Sequence, residues 1–189
     1  MRSTERMKMI PALMTLAFLP AIAAGQGATA QGTSARSTTA TLRAELLGQF
    51  DASMSKMVAL AQAMPAESFD WHPPGAMPVG RVYAHIARYN YYYPSTAMGV
   101  AVPAGFGLDT LESMRDKAQI VKLLHASADH VRHAITAMPV SQLDATTRLY
   151  GRDVPQWAVL VQLVAHMNEH VGQAIAYARA NNIVPPWSR

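Results

Sequence analysis

The sequence has no cysteine among its 189 residues and few charged residues. Without cysteine there is no disulfide framework and no attachment point for a lipoprotein lipid, and thiol chemistry would need a thiol from outside the chain. Charged residues make up 15% of the sequence and hydrophobic residues 50%. This balance predicts a chain with a hydrophobic core and is too apolar for a disordered protein.

Clusters of basic residues are absent as well. The formal net charge is +4. The N-terminal leader contributes +2 of it, through Arg2, Glu5, Arg6 and Lys8, which leaves about +2 for the rest of the chain. The remaining basic residues are scattered, so the chain lacks the positive surface with which nucleic-acid-binding domains contact phosphates. We therefore expect no nucleic acid among its partners.

The longest apolar run near the N-terminus is short. It covers Met9–Leu19, is interrupted by Pro11, follows basic residues and precedes small ones. This order is typical of a secretory signal peptide and too short for a comfortable transmembrane helix. Two A-x-A cleavage patterns end at Ala23 and Ala30. The sequence predicts a signal peptide over 1–23, with cleavage as late as residue 30, a secreted or periplasmic protein and no stable membrane span after processing.

The rest of the chain shows no convincing alternation of apolar and polar residues, which is the pattern that predicts β-strands. Residues 24–40 are rich in Gly, Ser, Thr, Ala and Gln and predict a flexible mature N-terminus, followed by one domain over 41–189. In that domain apolar residues recur every three or four positions, which predicts amphipathic helices. The four helices are expected at 41–64, 78–96, 110–138 and 155–180, with connectors that contain proline or glycine. The predicted fold class is all-α, a four-helix bundle.

Three of the seven histidines fall on or beside the apolar stripes. His166 and His170 are four residues apart in the stretch LVAHMNEHVGQ, so their Cβ atoms lie about 5–6 Å apart on one helix face. His85 belongs to the apolar stripe of the second helix. Burying three imidazoles without partners is costly, so this pattern favours a metal site of His85, His166 and His170, for Zn²⁺ or Ni²⁺. Hydrogen-bonded core histidines are the alternative.

The other histidines are weaker candidates. His125, Asp129 and His133 repeat every four residues and form a possible rival site. Their positions rotate progressively away from the apolar face of the third helix, and His130 also lies on the side opposite that face. We therefore expect all four side chains to face solvent. His72 lies in a proline-rich connector, and no role follows for it.

Glu169 completes the pattern H-x-x-E-H, which is the inverted form of a zinc-peptidase motif. Its position on the helix allows it to act as a general base beside a metal. Such peptidases take a further ligand from downstream, and the sequence after His170 contains no Asp, Glu or His, so a peptidase is rejected. Glu169 remains a candidate catalytic residue, with a supporting or surface carboxylate as the favoured alternative. Tyr89 and Asn90 are further candidates beside the metal.

Three stretches carry a resemblance to a known family. They are FDWHPPGAMPVGRVYAHIARYNYYY (69–93), LLHASADHVRHAI (123–135) and LVAHMNEHVGQAIAYARANNIVPPWS (163–188). With them, residues 40–189 resemble the DinB-like (DinB/YfiT-type) four-helix-bundle family of metal-dependent enzymes. The resemblance implies one divalent ion, held by one histidine of the second helix and a histidine pair of the fourth, at the positions of His85, His166 and His170.

The resemblance supports the first of two hypotheses about function. Some members resemble thiol-dependent S-transferases or isomerases, in which the metal lowers the pKa of a low-molecular-weight thiol. The first hypothesis is therefore a metal-dependent enzyme with S-transferase or hydrolase-like chemistry on a small-molecule substrate, such as a thiol. The second is a non-catalytic metal-binding or interaction bundle with structural histidines. An open coordination position favours the enzyme. Homodimerisation through a helix face is a further expectation from the family.

Overall fold

Four long helices and a small hairpin make up the described part of the chain. The computed structural model describes residues 26–188, with side chains from residue 38, so the predicted signal peptide lies outside it. The helices are α1 (Gln26–Ala63), α2 (Val79–Ala97), α3 (Leu108–Leu111), α4 (Lys117–Ala137), α5 (Val140–Leu143) and α6 (Trp157–Ala180). The strands β1 (Thr146–Leu149) and β2 (Arg152–Pro155) pair antiparallel between α5 and α6.

The long helices confirm the all-α bundle. Helices α1 and α2 each pack against both α4 and α6, so α1 and α2 occupy opposite corners of the bundle. Each helix buries the stripe that its three- and four-residue apolar spacing predicts. The residues at the centre of the core are fully buried: Met57, Leu60, Ile86, Ile120, Leu124 and Val159. Among the described residues, no helix is both long enough and apolar enough to cross a bilayer.

Helix α1 begins upstream of the residues that form its apolar pattern. Residues 26–40, which were expected to be flexible, continue α1 towards the N-terminus. Extending an existing helix costs far less than nucleating a new one, because each added residue gains a backbone hydrogen bond. Side-chain hydrogen bonds join the part of α1 around position 40 to the segment that follows α4. Thr39 Oγ1 donates to Asp144 at 2.8 Å, and the Arg43 guanidinium donates to the Met138 carbonyl at 2.7 Å.

The third predicted helix, 110–138, is interrupted. The chain forms the single turn α3, leaves helical geometry, and begins α4 at Lys117. Asp116 precedes α4 as its N-cap, and its carboxylate accepts a hydrogen bond from the Gln119 amide at 2.8 Å. A carboxylate that satisfies a free amide of the first turn favours a new helix start at this point. The interruption leaves Glu112 directly after α3, beside α2.

The predicted irregular connector over 139–153 contains regular structure instead. It holds α5, β1 and the start of β2, with Leu149 paired to Arg152 across a two-residue turn. The turn residues Tyr150 and Gly151 have positive φ angles of 50° and 76°, which suits a tight hairpin of type I′. Strands of four residues are too short to give a clear alternation pattern. Thr147 Oγ1 donates to the Ala97 carbonyl at 2.6 Å, which fixes the hairpin at the C-terminal end of α2.

Candidate metal centre

The three predicted histidines come together between α2 and α6. The imidazole centroid of His85 lies 5.2 Å from that of His166 and 4.9 Å from that of His170. The centroids of His166 and His170 are 4.7 Å apart. The nitrogens through which the three side chains can bind a metal lie within 4.8 Å of one another. His166 and His170 are distant from His85 in the sequence, but the fold places all three side chains in one cluster.

The spacing of the ring nitrogens fits a metal ion. Nε2 of His85 lies 3.2 Å from Nε2 of His166. A tetrahedral zinc ion with Zn–N bonds of about 2.0–2.1 Å separates two of its ligand nitrogens by about 3.3–3.4 Å. Imidazole ligands suit Zn²⁺, Ni²⁺ and other late divalent metals, so the donor set fits such an ion without selecting one metal. Three histidines also leave a fourth tetrahedral position for a water or a substrate.

Burial keeps His85 and His166 in the form that binds a metal. Burial, and then the positive charges that His170 and His85 would carry, lower the pKa of His166 to about 4. Burial also lowers the pKa of His85, against the opposing effect of the hydrogen bond that its imidazole donates to Glu112. Both imidazoles are therefore neutral at neutral pH, with a lone pair available for a cation.

Glu112 orients His85 from outside the cluster. His85 Nδ1 donates to Glu112 Oε1 at 2.9 Å, so the proton resides on Nδ1 and the lone pair of Nε2 points to the other histidines. Arg81 Nε donates to Glu112 Oε2 at 3.1 Å, and the Arg88 guanidinium lies 3.7 Å from Oε1. Partial burial opposes ionisation of Glu112, but the hydrogen bonds from His85 and Arg81 outweigh it and lower its pKa.

Gln173 orients His170 in the same way. His170 Nδ1 donates to Gln173 Oε1 at 2.7 Å, and Gln173 Nε2 donates to the Tyr177 hydroxyl at 2.9 Å. The Tyr177 ring meets Trp71 edge-on, with centroids 5.4 Å apart, at the other end of this chain of contacts. The sequence analysis missed Gln173. Its position three residues after His170, on the same face of one helix, was an available signal.

The other candidate residues lie in three different places: beside the cluster, in the core and on the surface. The Tyr89 ring packs against His85 at 4.5 Å and His166 at 4.6 Å, so it lies beside the cluster. Asn90 is buried but faces α4, where its amide donates to Ser127 Oγ at 3.0 Å. Glu169 is exposed on α6. Its catalytic role remains a prediction.

The rival group on α4 does not form a comparable centre. His125, Asp129 and His133 are exposed, as expected. The expectation for His130 was wrong. Its side chain is half-buried and its ring lies 4.8 Å from that of Tyr91, because α2 covers this part of α4. His130 Nε2 has no hydrogen-bond partner among the described residues, and burial lowers the pKa of this side chain.

Comparison with known proteins agrees with this architecture. The sequence profile of the DinB superfamily matches residues 49–174, a span that contains all three histidines. No curated protein sequence matches the chain. Among solved structures, a DinB-like protein from Bacillus cereus matches with a TM-score of 0.65 at 19% identity, over 75% of this chain and 93% of that one. An uncharacterised protein from Escherichia coli matches with a TM-score of 0.55 at 18% identity, over 75% and 95%. At these identities the structures support the fold alone.

Proposed function

Because this chain belongs to the DinB superfamily and gathers three imidazoles at one point, we propose that it is a divalent-metal-dependent enzyme. The ligands are His85, His166 and His170, and one ion binds per chain. The observation that carries the proposal is the orientation of two of these rings. Nδ1 of His85 and Nδ1 of His170 are hydrogen-bonded to Glu112 and Gln173, so Nε2 is the nitrogen that each ring offers to the ion.

The chemistry follows from the three imidazole ligands. When bound, the ion supplies a Lewis acid with an open position, at which a thiol or a water loses its proton more readily. Glu112 and Gln173 hold two of the ligands in one tautomer and one orientation. Tyr89 covers the faces of His85 and His166 and limits the access of water from that side. We propose a small-molecule substrate, with a low-molecular-weight thiol as the first candidate.

An open coordination position can be tested with cobalt. We expect the purified protein to bind one Zn²⁺ or Co²⁺ per chain, measured by metal analysis after gel filtration. Adding 2-mercaptoethanol to the Co²⁺ form should then produce a thiolate-to-cobalt charge-transfer band in the near ultraviolet and shift the visible bands. A chelator should remove both signals.

Two outcomes would contradict this proposal in different ways. If the protein retains no stoichiometric metal after reconstitution, the histidines are structural core residues. If it binds one ion whose spectrum responds neither to thiols nor to other added ligands, the site is closed, and the non-catalytic metal-binding bundle is correct.

The cellular location of the protein is a separate proposal, which rests on the leader sequence. We propose that the protein is exported, to the periplasm or the medium, after cleavage of the signal peptide. Mass spectrometry of the exported protein should find an N-terminus between Ala24 and Gln31. An intact Met1 on the exported protein would mean that the leader is retained.

A further inference from the structure

A surface cleft beside α2 and α3 contains three arginines. It has a volume of about 420 Å³, and its lining residues come from α2, α3 and the segment before α4: Arg81, Arg88, Asp109, Glu112, Ser113 and Arg115. Cavities of this size hold small-molecule ligands. Glu112 lines the cleft and also accepts the hydrogen bond from His85 Nδ1, so the cleft adjoins the candidate metal centre on that side of His85.

Arg88 is the best-positioned cation of this cleft. Its Nε donates to the Leu108 carbonyl at 3.2 Å, which anchors the guanidinium to the start of α3. The guanidinium also lies over two aromatic rings, 5.1 Å from the centroid of Tyr89 and 5.4 Å from that of Tyr92. The side chain is only 20% exposed. These contacts fix the guanidinium before any ligand arrives, so little conformational entropy is lost on binding.

The outer end of the Arg88 guanidinium lacks hydrogen-bond acceptors. Its Nη1 lies 3.7 Å from a carboxylate oxygen of Glu112, and its Nη2 lies 3.8 Å from one of Asp109. Both distances are too long for a hydrogen bond. Among the described residues, therefore, neither terminal nitrogen of Arg88 has an acceptor, although both carry N–H groups.

Arg81 and Arg115 bring two more guanidinium groups to the same cleft. The side chain of each is 46% exposed. Arg81 donates through Nε to Glu112, and Arg115 donates through Nη1 to the carbonyls of Glu112 and Met114. A guanidinium has five N–H donors, so both groups retain donors for a ligand.

The carboxylates near the cleft leave room for another anion. Glu112 is engaged by Arg81 and His85. Asp109 is 98% exposed, so it can turn into solvent at little cost when another anion takes its place beside Arg88. Asp70, which lies 3.5 Å from Arg115 Nε, is 81% exposed and is equally well solvated.

We propose that this cleft is a binding site for a small oxyanion, the carboxylate or phosphate group of a small molecule, with Arg88 as its main ligand. A planar guanidinium matches two oxygens of either group with two parallel hydrogen bonds. Arg81 and Arg115 supply further positive charge from the sides of the cleft. The site consists of protein side chains alone, so the inference goes beyond the proposed function and does not depend on the metal ion.

Calorimetric titrations of the purified protein with malonate and with inorganic phosphate test this site. They are made at constant ionic strength, so that screening by salt is the same throughout. Each titration is made with and without added Zn²⁺, because an anion that coordinates the ion would bind only in its presence. The variants are Arg88→Gln and Arg115→Gln. The matched control is Arg148→Gln, which removes the same charge from the hairpin, where Arg148 pairs with Asp153 and is 68% exposed.

We expect the wild type to bind one anion per chain, both with and without Zn²⁺. Arg88→Gln should lower the affinity at least about tenfold, because it removes a charge-assisted contact with two hydrogen bonds. Arg115→Gln should lower it by a smaller factor, and Arg148→Gln should leave it unchanged. Tighter binding of phosphate than of malonate would identify the ligand group as a phosphate, and the reverse order as a carboxylate.

Thermal unfolding shows whether the variants are folded. Arg115 is half exposed, so Arg115→Gln keeps the test valid if Arg88→Gln proves unstable. If neither anion binds to the wild type, or if Arg148→Gln weakens binding as much as Arg88→Gln and Arg115→Gln do, the arginines only balance nearby carboxylates and the inference is wrong. Binding that requires Zn²⁺ would also overturn it. A protein that binds an anion in the cleft but no Zn²⁺ would refute the metal site and leave this inference standing.

Discussion

Replacing His85 with alanine is expected to lower the affinity for Zn²⁺ by at least on the order of 100-fold. Structural zinc sites with four ligands have apparent binding free energies of about 10–16 kcal/mol, so one ligand accounts for roughly 3 kcal/mol. The two histidines that remain, His166 and His170, lie on a single helix and offer the ion only two nitrogens. A site reduced to two ligands cannot hold the metal against a chelator of ordinary strength.

The measurement is a competition between the protein and a chromophoric chelator at constant neutral pH. The His170→Ala variant should lose affinity to a similar extent. His125→Ala is the matched control, since His125 is an exposed histidine of α4 outside the cluster. We expect it to bind Zn²⁺ like the wild type. Equal affinity in His85→Ala and the wild type would show that the metal binds elsewhere, and that the convergence of the three rings is structural.

Replacing Glu112 with glutamine is expected to lower Zn²⁺ affinity about tenfold, with Glu112→Ala nearer 100-fold. The carboxylate accepts a hydrogen bond from His85 Nδ1, which makes Nε2 the binding nitrogen and increases its electron density. Glutamine can still accept that bond, but it removes the negative charge that Arg81 and Arg88 now share. Alanine removes the bond altogether and frees the imidazole to rotate.

Asp109→Asn is the control for this effect. Asp109 and Glu112 line one surface cleft, which also contains Arg81 and Arg88. Asp109 lies 3.8 Å from the Arg88 guanidinium, but its side chain is 98% exposed and solvent screens its charge. The same competition assay should give wild-type affinity for this variant. Equal losses in Asp109→Asn and Glu112→Gln would mean that the net charge of the cleft matters, and that the hydrogen bond to His85 does not.

Helices α2 and α6 show how much of the fold can be predicted from helical periodicity. They were expected over 78–96 and 155–180 and are found over Val79–Ala97 and Trp157–Ala180. Both carry long apolar stripes, so local pattern and tertiary packing agree. His85, His166 and His170 could be selected because each lies on or beside such a stripe. Because the apolar stripes of α2 and α6 face the same core, the histidines that lie on or beside these stripes come close to one another.

The third helix and the hairpin show where periodicity fails. The apolar spacing continues through Met114, but Asp116 caps a new helix and the chain breaks before it. A capping residue competes with the helix that it interrupts, and the pattern alone does not reveal which arrangement is more stable. The strands around Tyr150 are too short for alternation to be recognised, and their stability depends on contacts with α2.

The sequence by itself therefore determined the class of fold and the positions of the three clustered histidines, because both follow from which residues recur on one helix face. Only the tertiary structure decided what surrounds those histidines. Glu112 reaches His85 across 27 positions, and Tyr150 reaches Tyr93 across 57. Neither pair lies on one helix, so no spacing rule connects them. They meet because the break before α4 and the turn after β1 place two loops against α2.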